Sequence, residues 1–519
     1  MVSDPRSYDV IGFGDEVPGV LALIVAAREY RRRTKKYPRV LLMSKANMQQ
    51  GIGGHLVRGG LAYLDRSHID RELQLSLGIP PFGDPAAIYQ EFLQKAGVLS
   101  IALDPVKASA ALREMLREAG VDCLSRVEIQ SVVKQGQRIV SLVTPMGTYS
   151  GKQFIDATVN AELAQVAGVR KLQGFETFGL PDSELPVTLV FETQGLSVRR
   201  LKELEFAYLK RFTNLADVEG QRILLHAAGF DSKLAELIRK EMVDSKGNLK
   251  TLWASSDYID IRCLALSVAY HAFRGKKLSF YETGLMFDRG NIAILPGEKL
   301  SWNAMLFAVN GSEAEALARG GAKPTPKMLE EIRFVEKWLK SLGATSVTPM
   351  SELYIRHAGN VTDVVEPLSG SKMLMGGASP SEALGTFSYH FDVRGGIPGI
   401  GEKASFLGFT SVSFGKPVFN IGIQHALIKN VPNLAVISPA SGFEGFASSA
   451  GRIVEFNSAV CQGVGIASVI ALLSGRNLAN ISNLEVRNVL VETRQSSRVY
   501  GFAQFEQAYK LQQFESFIA

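Results

Sequence analysis

Apolar residues cluster in YDVIGF (8–13), take helical spacing in VLALIVAAREY, and cluster again in RVLLMSK (39–45). Two apolar runs around a helical pattern predict a strand at 8–13, a helix over about 19–34 and a strand at 39–45. That is the opening of a parallel sheet covered on both faces. The stretch GIGGHLVRGGLAYLD (51–65) is rich in glycine but too apolar to be a linker. In DPVKASAALREMLREAG (104–120) the apolar residues stand three and four apart and stop at Gly120, which predicts a helix. Residues 121–158 then alternate in short stretches broken at KQGQ and PMGTYSG, as a small antiparallel meander would.

The pattern changes from about 170 to 385. Long polar helical stretches (SVRRLKELEFAYLKRF, SKLAELIRKEM, TPKMLEEIRFVEKWLKSLG) lie among irregular Pro- and Gly-rich segments, with no repeat period. This predicts a second domain inserted into the first. Strand and helix patterns return with FSYHFDVRGG, with NLAVIS (433–438) and with GRIVEFNSAVCQGVGIASVIALLSG (451–475). The tail carries Phe502, Phe505, Tyr509, Phe514 and Phe517 among glutamines, as a helix packed on the body or on another subunit would. The expected division is a first domain in two parts, 1–170 and 386–480, an inserted domain at 171–385 and a helical tail at 481–519. The fold class is α/β, a doubly wound parallel sheet with an inserted α+β domain.

Composition narrows the function classes. A chain of 519 residues with 46% hydrophobic and 21% charged residues has enough apolar material for one large or two ordinary buried cores. The longest apolar runs, VLALIVAA and VCQGVGIASVIALL, read as buried helices rather than transmembrane segments. No positive-then-apolar leader follows MVSDPRS, which predicts a cytoplasmic location. The three cysteines, Cys123, Cys263 and Cys461, have no metal-ligand spacing, so neither a metal site nor a disulfide framework is expected, and each reads as a small buried residue. The formal charge of +6 is mild, and basic and aromatic residues are not interleaved as a nucleic-acid module requires. The dense run Arg31, Arg32, Arg33, Lys35, Lys36 falls where the first helix ends and suits its dipole; peripheral membrane contact is the alternative use of such a run.

Between the first strand and the first helix lies GDEVPG, Gly14 to Gly19. A phosphate-binding turn at this place carries three glycines: one for the tight turn, one to let the backbone approach a pyrophosphate, one for close helix-to-strand contact. Gly14 and Gly19 stand at the outer two positions, and Glu16 stands at the middle one. A carboxylate there adds bulk and like charge beside two phosphates, so either it turns outward to a ribose hydroxyl or a basic residue, or the phosphates sit differently, or no dinucleotide binds.

Several stretches in order resemble the FAD-dependent oxidoreductases of the glutathione-reductase-like superfold, in particular the group that includes succinate dehydrogenase and fumarate reductase flavoproteins. They are YDVIGFGDEVPGVLAL, RVLLMSK, GIGGHLVRGGLA, LREAGVDCLSRVEIQSVV, IDATVNAELAQVAG, ELYIRHAGNVTDVV, YHFDVRGG and NLAVISPASGFEGFASSAGRIVEFNSAVCQGVGIA, which leaves only about 190–330 without a motif. The resemblance implies a non-covalently bound FAD contacted by Gly14, Glu16, Val17, Pro18, Gly19, Ser44, Lys45, Gly53, Gly54, Ile129, Arg452, Gln462 and Gly465. The chain departs from the family pattern at three places. Glu16 replaces a glycine, Ser44 replaces the acid that grips the adenosine ribose, and Val159 and Asn160 alter the A-T-G-D strand end.

The same resemblance places the substrate pocket between the two domains. Candidates there are His55 and Arg58 from GGHLVRGG, Arg356 and His357 from YIRHAG, and His390, Asp392 and Arg394 from YHFDVRGG. Arg394, His390, Arg356 and His357 are the expected catalytic set, since arginine and histidine suit an anionic or carbonyl-bearing substrate and proton donation. His68, His226, His271 and His425 stand outside any motif and read as structural. Two functions are compatible with the residues. One is an oxidoreductase that transfers a hydride between FAD and a small organic molecule, with a lipophilic one in view. The other is a binding or assembly protein that keeps the fold and has weakened or lost the cofactor. Homo-oligomerisation is compatible with both.

Overall fold

Two apolar runs become parallel neighbours because both of their faces are covered. β1 (Arg6–Phe13) pairs with β2 (Val40–Ser44) in the register Val10↔Val40 to Phe13↔Met43, and every residue of β2 is buried. The computed structural model describes residues 6–406, 409 and 413–518. Between the two strands runs α1 (Val17–Thr34), started by Pro18 in its first turn and closed by Lys35 in the left-handed conformation. The basic run at its end is tied down locally: Arg32 and Arg33 pair with Glu29, and Arg31 lies over the Tyr37 ring.

β3 (Val121–Ser125) extends the parallel sheet beside β2 rather than joining the meander. The meander consists of β4 (Ser131–Gln135), β5 (Arg138–Thr144) and β6 (Gly147–Asp156), and β6 returns parallel to β1. The strand Leu434–Val436 adds to β6, giving seven strands in the order β3-β2-β1-β6-β5-β4 with that strand beside β6. The carboxyl ends of β2, β1 and β6 therefore open on one edge of the molecule, where ligands of open α/β sheets bind. Gly19 lets α1 sit on that edge, since a Cβ there would lie 2.1 Å from Cβ of Ala157 just past β6.

Against α1 also packs the helix Val454–Ser474. Among the described residues it is the one helix long and apolar enough to cross a membrane, and 89% of its most apolar window is buried inside the protein. Its length belongs to the core.

The segment between these halves forms a second seven-stranded sheet, antiparallel, built on the hairpin Leu285–Leu295 and Lys299–Phe307. Helices including Val198–Thr213 and Pro326–Ser341 close its core around Phe191, Phe287, Trp302 and Trp338. The tail helix Phe505–Ile518 packs back on the body: Phe514 is buried against Phe178 and Phe446, and Glu515 accepts hydrogen bonds from the Gly370 and Ser371 amides. Phe502, Phe505 and Tyr509 stay exposed, and the Phe517 side chain lies outside the described residues.

Cys263 and Cys461 are buried as expected; Cys123 is exposed, because β3 is the free edge of its sheet. His271 and His425 are buried in the core, in keeping with structural roles. His271 donates from Nδ1 to the Lys276 carbonyl and accepts at Nε2 from the Phe287 amide, so only its neutral form fits. Burial pulls it down to about 4, and burial alone pulls His425, held between Phe443 and Phe456, down to about 3. Below the ordinary histidine value the unfolded chain binds protons that the folded chain refuses. Stability is therefore complete above about pH 6.5 and falls as the pH drops towards 4 and 3, by up to about 1.4 kcal/mol per pH unit for each histidine. His425→Phe is expected to remove one histidine's share of that slope in urea unfolding between pH 6.5 and 4.5, and an unchanged slope would contradict the assignment.

Candidate functional site

The turn after β1 begins at Gly14, whose φ is +98 and where a Cβ would lie 2.6 Å from the Ala157–Thr158 peptide, so the position admits no side chain. The next two residues are acids, and both are tied off. Asp15 is buried and accepts from Ser44 Oγ (2.7 Å) and from the two terminal nitrogens of Arg58. Arg58 also donates from Nε to Glu352 (2.8 Å) and from Nη1 to the Gly51 carbonyl (2.7 Å). Burial opposes the charge on Arg58, but Asp15 and Glu352 outweigh it and hold the guanidinium firmly protonated. Glu16 turns away from the turn and accepts from the His55 amide (3.1 Å), with its other oxygen on His55 Nδ1.

Beside these residues, at the carboxyl ends of β1, β2 and β6, lies an open cavity of about 570 Å³. Gly14, Asp15, Glu16, Ser44 and Lys45 form one side, Arg126 and Thr158 to Asn160 the next, and Arg319 to Lys323 of the inserted segment the far wall. Lys45 is partly committed, to Glu162 (3.0 Å) and the Arg319 carbonyl (2.9 Å). Arg126 and Lys323 add positive charge at the rim.

A second group of charges is buried between the two sheets, around Tyr354. Arg452 donates to the Tyr354 hydroxyl (3.0 Å) and to Asp392 (2.7 Å), and Arg356 lies over the Tyr354 ring at 4.6 Å. Arg394 pairs with Asp288 (2.7 Å) and donates to the Asn303 carbonyl, while the Asn303 side chain accepts from Arg356 (3.4 Å). Burial works to raise the Asp392 carboxyl, but Arg452, Arg394 and Arg356 together hold it below the usual range. Arg356 itself is fully buried and makes no ion pair among the described residues. Its other partner is the Pro186 carbonyl (2.7 Å), its Nε has none, and burial pulls it down to about 10.

The structure gathers some of the expected residues and separates others. Gly14, Glu16, Ser44 and Lys45 line the cavity, and Gly53 and Gly54 stand next to it against Asp15 and Glu16. Val17 and Pro18 are buried in the first turn of α1. Gln462 and Gly465 lie elsewhere. Gln462 accepts from the Ile88 amide, and a Cβ on Gly465 would meet the Ala22 carbonyl at 2.6 Å, so these residues serve helix packing. Ile129 packs among the apolar residues beneath β3 and β4. Of the expected catalytic set, Arg356 and Arg394 come together with Arg452. His357 does not join them: its two ring nitrogens are taken by Glu184 (2.8 Å) and Asn360 (2.7 Å). His390 is exposed and faces His68. Asp15, Glu352 and Tyr354 carry the site without having been singled out, because their hydrogen bonds to Ser44, Arg58 and Arg452 span 29 to 294 residues.

A dinucleotide fits this crevice. The tight turn at Gly14 is intact, the cavity has ligand-binding size, Asp15 is paired with Arg58, Glu16 is hydrogen-bonded to His55, and Lys45, Arg126 and Lys323 are among the lining residues. The sequence profile of one family, described as FAD dependent oxidoreductase, matches residues 9–490. No curated protein matches the chain. Among solved structures the chain is similar to L-proline dehydrogenase from P. horikoshii, with 11% identity over 95% of this chain and 100% of that one and a TM-score of 0.36. It is also similar to the myxobacterial chondrochloren halogenase CndH (13% identity, 99% and 89% covered, TM-score 0.36) and to the amino acid oxidase NikD (10%, 88% and 94%, TM-score 0.33). The family match across nearly the whole chain carries the assignment: the protein belongs to the FAD-dependent oxidoreductase family, whose cofactor is FAD.

Proposed function

We propose that the protein transfers a hydride between a non-covalently bound FAD and a small organic substrate that carries an anionic group. The observation that carries the substrate class is Arg356, a buried guanidinium without a carboxylate partner, beside Arg452 and Arg394. Buried charges are ordinarily paired, so a cation in this state suits an anion brought by a ligand. Gly14, Ser44, Lys45 and Arg126 would hold the adenosine and phosphate end of the cofactor in the crevice. When bound, the flavin supplies a two-electron acceptor or donor. The chain's own part is to bind and orient. Arg356 would fix the anionic group, Asn303 would hold Arg356 and Arg394 in place, and the walls between the two sheets would keep water away.

A second reading, a binding protein with weakened affinity for FAD, is favoured by one observation: the Glu16 carboxylate already occupies the amide of His55 beside the glycine pair. The two readings separate in an anaerobic mixing experiment. Protein loaded with FAD is mixed with small 2-hydroxy and 2-amino carboxylates and with their methyl esters, and flavin absorbance is followed. Bleaching by carboxylates and not by esters is expected. Equal bleaching by esters would contradict the anionic assignment, and none with any compound would favour the binding protein.

A further inference from the structure

Glu16 stands where the fingerprint of the fold has a glycine, and the carboxylate is built in rather than tolerated. A Cβ on Gly54 would lie 2.0 Å from Glu16 Oε1, so Gly54 makes the space that this carboxylate fills. In that space Glu16 takes the His55 amide with one oxygen and His55 Nδ1 with the other, which fixes both the position and the rotation of the imidazole. His55 is 8% exposed, and its Nε2 has no partner. The ring stacks on Tyr354 at 5.1 Å with 19° between the planes. Tyr354 is also where Arg356 and Arg452 meet, and the Nε atoms of both arginines are likewise without partners. Three buried side chains with an unpartnered nitrogen thus converge on one tyrosine, and polar atoms buried in that way point to a group that completes them.

We propose that Glu16 and His55 form a carboxylate–imidazole dyad. Glu16 is the positioning residue, and Nε2 of His55 accepts a proton from a ligand that bears an O–H or N–H next to its anionic group. The inference rests on the anionic-substrate reading above and adds to it where the proton goes. The O–H or N–H bond of the ligand breaks and its electron pair stays on the oxygen or nitrogen. The proton forms a bond to Nε2, and the positive charge gained by the imidazole faces the Glu16 carboxylate. A base needs its lone pair aimed at the reacting proton, and a carboxylate on the opposite ring nitrogen secures that tautomer. Of the other charges nearby, Arg58 pairs with Asp15 and Glu352 and Arg452 with Asp392, while Arg356 is the cation without a carboxylate that the ligand's anionic group would meet.

The test is the tautomer of His55, read from ¹⁵N shifts of protein labelled at histidine, with His55→Gln to assign the signal. Wild-type protein is expected to carry the proton on Nδ1 and a bare Nε2. Glu16→Gly, which removes the acceptor from Nδ1–H, is expected to lose that form in favour of the Nε2–H form. Protonation of Nε2 in the wild-type protein, in the neutral or the charged imidazole, would overturn the proposal. A tautomer unmoved by Glu16→Gly would overturn the role of Glu16. The visible spectrum of the same sample reports FAD separately, so a colourless protein with the Nδ1–H form would contradict the redox reading and leave the dyad standing.

Discussion

Arg58→Met is expected to lower the unfolding free energy by about 3–5 kcal/mol, the cost of leaving a buried ion pair with one partner removed. The variant strands two carboxylates, Asp15 and Glu352, that share this one guanidinium. Burial already works to raise the Glu352 carboxyl, and Arg58 is the chief group that opposes it. Without Arg58, Glu352 can relieve part of the cost by taking a proton. Asp15 has less freedom, because Ser44 Oγ and the Gly53 amide donate to it. Arg58→Lys should recover only part of the loss, since one ammonium cannot reproduce donations from the guanidinium fork to three separate acceptors. Urea unfolding of the three proteins decides the matter. A loss below about 1 kcal/mol in Arg58→Met, the range of exposed pairs, would mean that the network is not the clamp of the crevice.

Arg356→Met is expected to do the opposite to stability and more to binding. Arg356 has no carboxylate of its own, so its replacement by an apolar side chain of similar size strands no charged partner and removes the cost of burying an unpaired charge. The unfolding free energy should therefore hold or rise. If Arg356 receives the anionic group of the substrate, the same change should weaken apparent substrate affinity by about 10- to 100-fold, the worth of about 1.5–3 kcal/mol for a hydrogen bond to a charged group. Lower stability together with unchanged bleaching kinetics would return Arg356 to a packing role. Residues kept at a cost in stability commonly serve binding or catalysis, and this pairing of signs is what separates the two uses.

The parallel framework was legible because its signal is local. β1, α1 and β2 fall within about two residues of their expected bounds, since local apolar runs and helical spacing fix them without reference to the rest of the chain. Gly14 and Ser44 were placed on the crevice by the resemblance, which aligns them with the family's glycine turn and the end of its second strand. The hairpin Leu285–Leu295 and Lys299–Phe307 also carried a signal in PGEK, a Pro-Gly turn between two apolar stretches, but the polar helices around it hid the sheet. What stayed out of reach was partnership. Arg58 meets Asp15 across 43 residues and Glu352 across 294, and no periodicity reports such a pairing. Small residues on a helix were ambiguous in the same way. Gly465 suits a ligand or a neighbouring helix equally well in sequence, and only the approach of the Ala22 carbonyl decides for the helix.

The proposed chemistry stands on the crevice at the carboxyl ends of β1 and β2 taking the adenosine and phosphate end of FAD although Glu16 stands in the turn. Titration of purified protein with FAD, followed by quenching of flavin fluorescence with ADP as competitor, decides this. Saturation at one FAD per chain and displacement by ADP are expected, with an altered affinity in Glu16→Gly and the fold intact. Absence of saturable FAD uptake, or uptake that ADP leaves untouched, would contradict it.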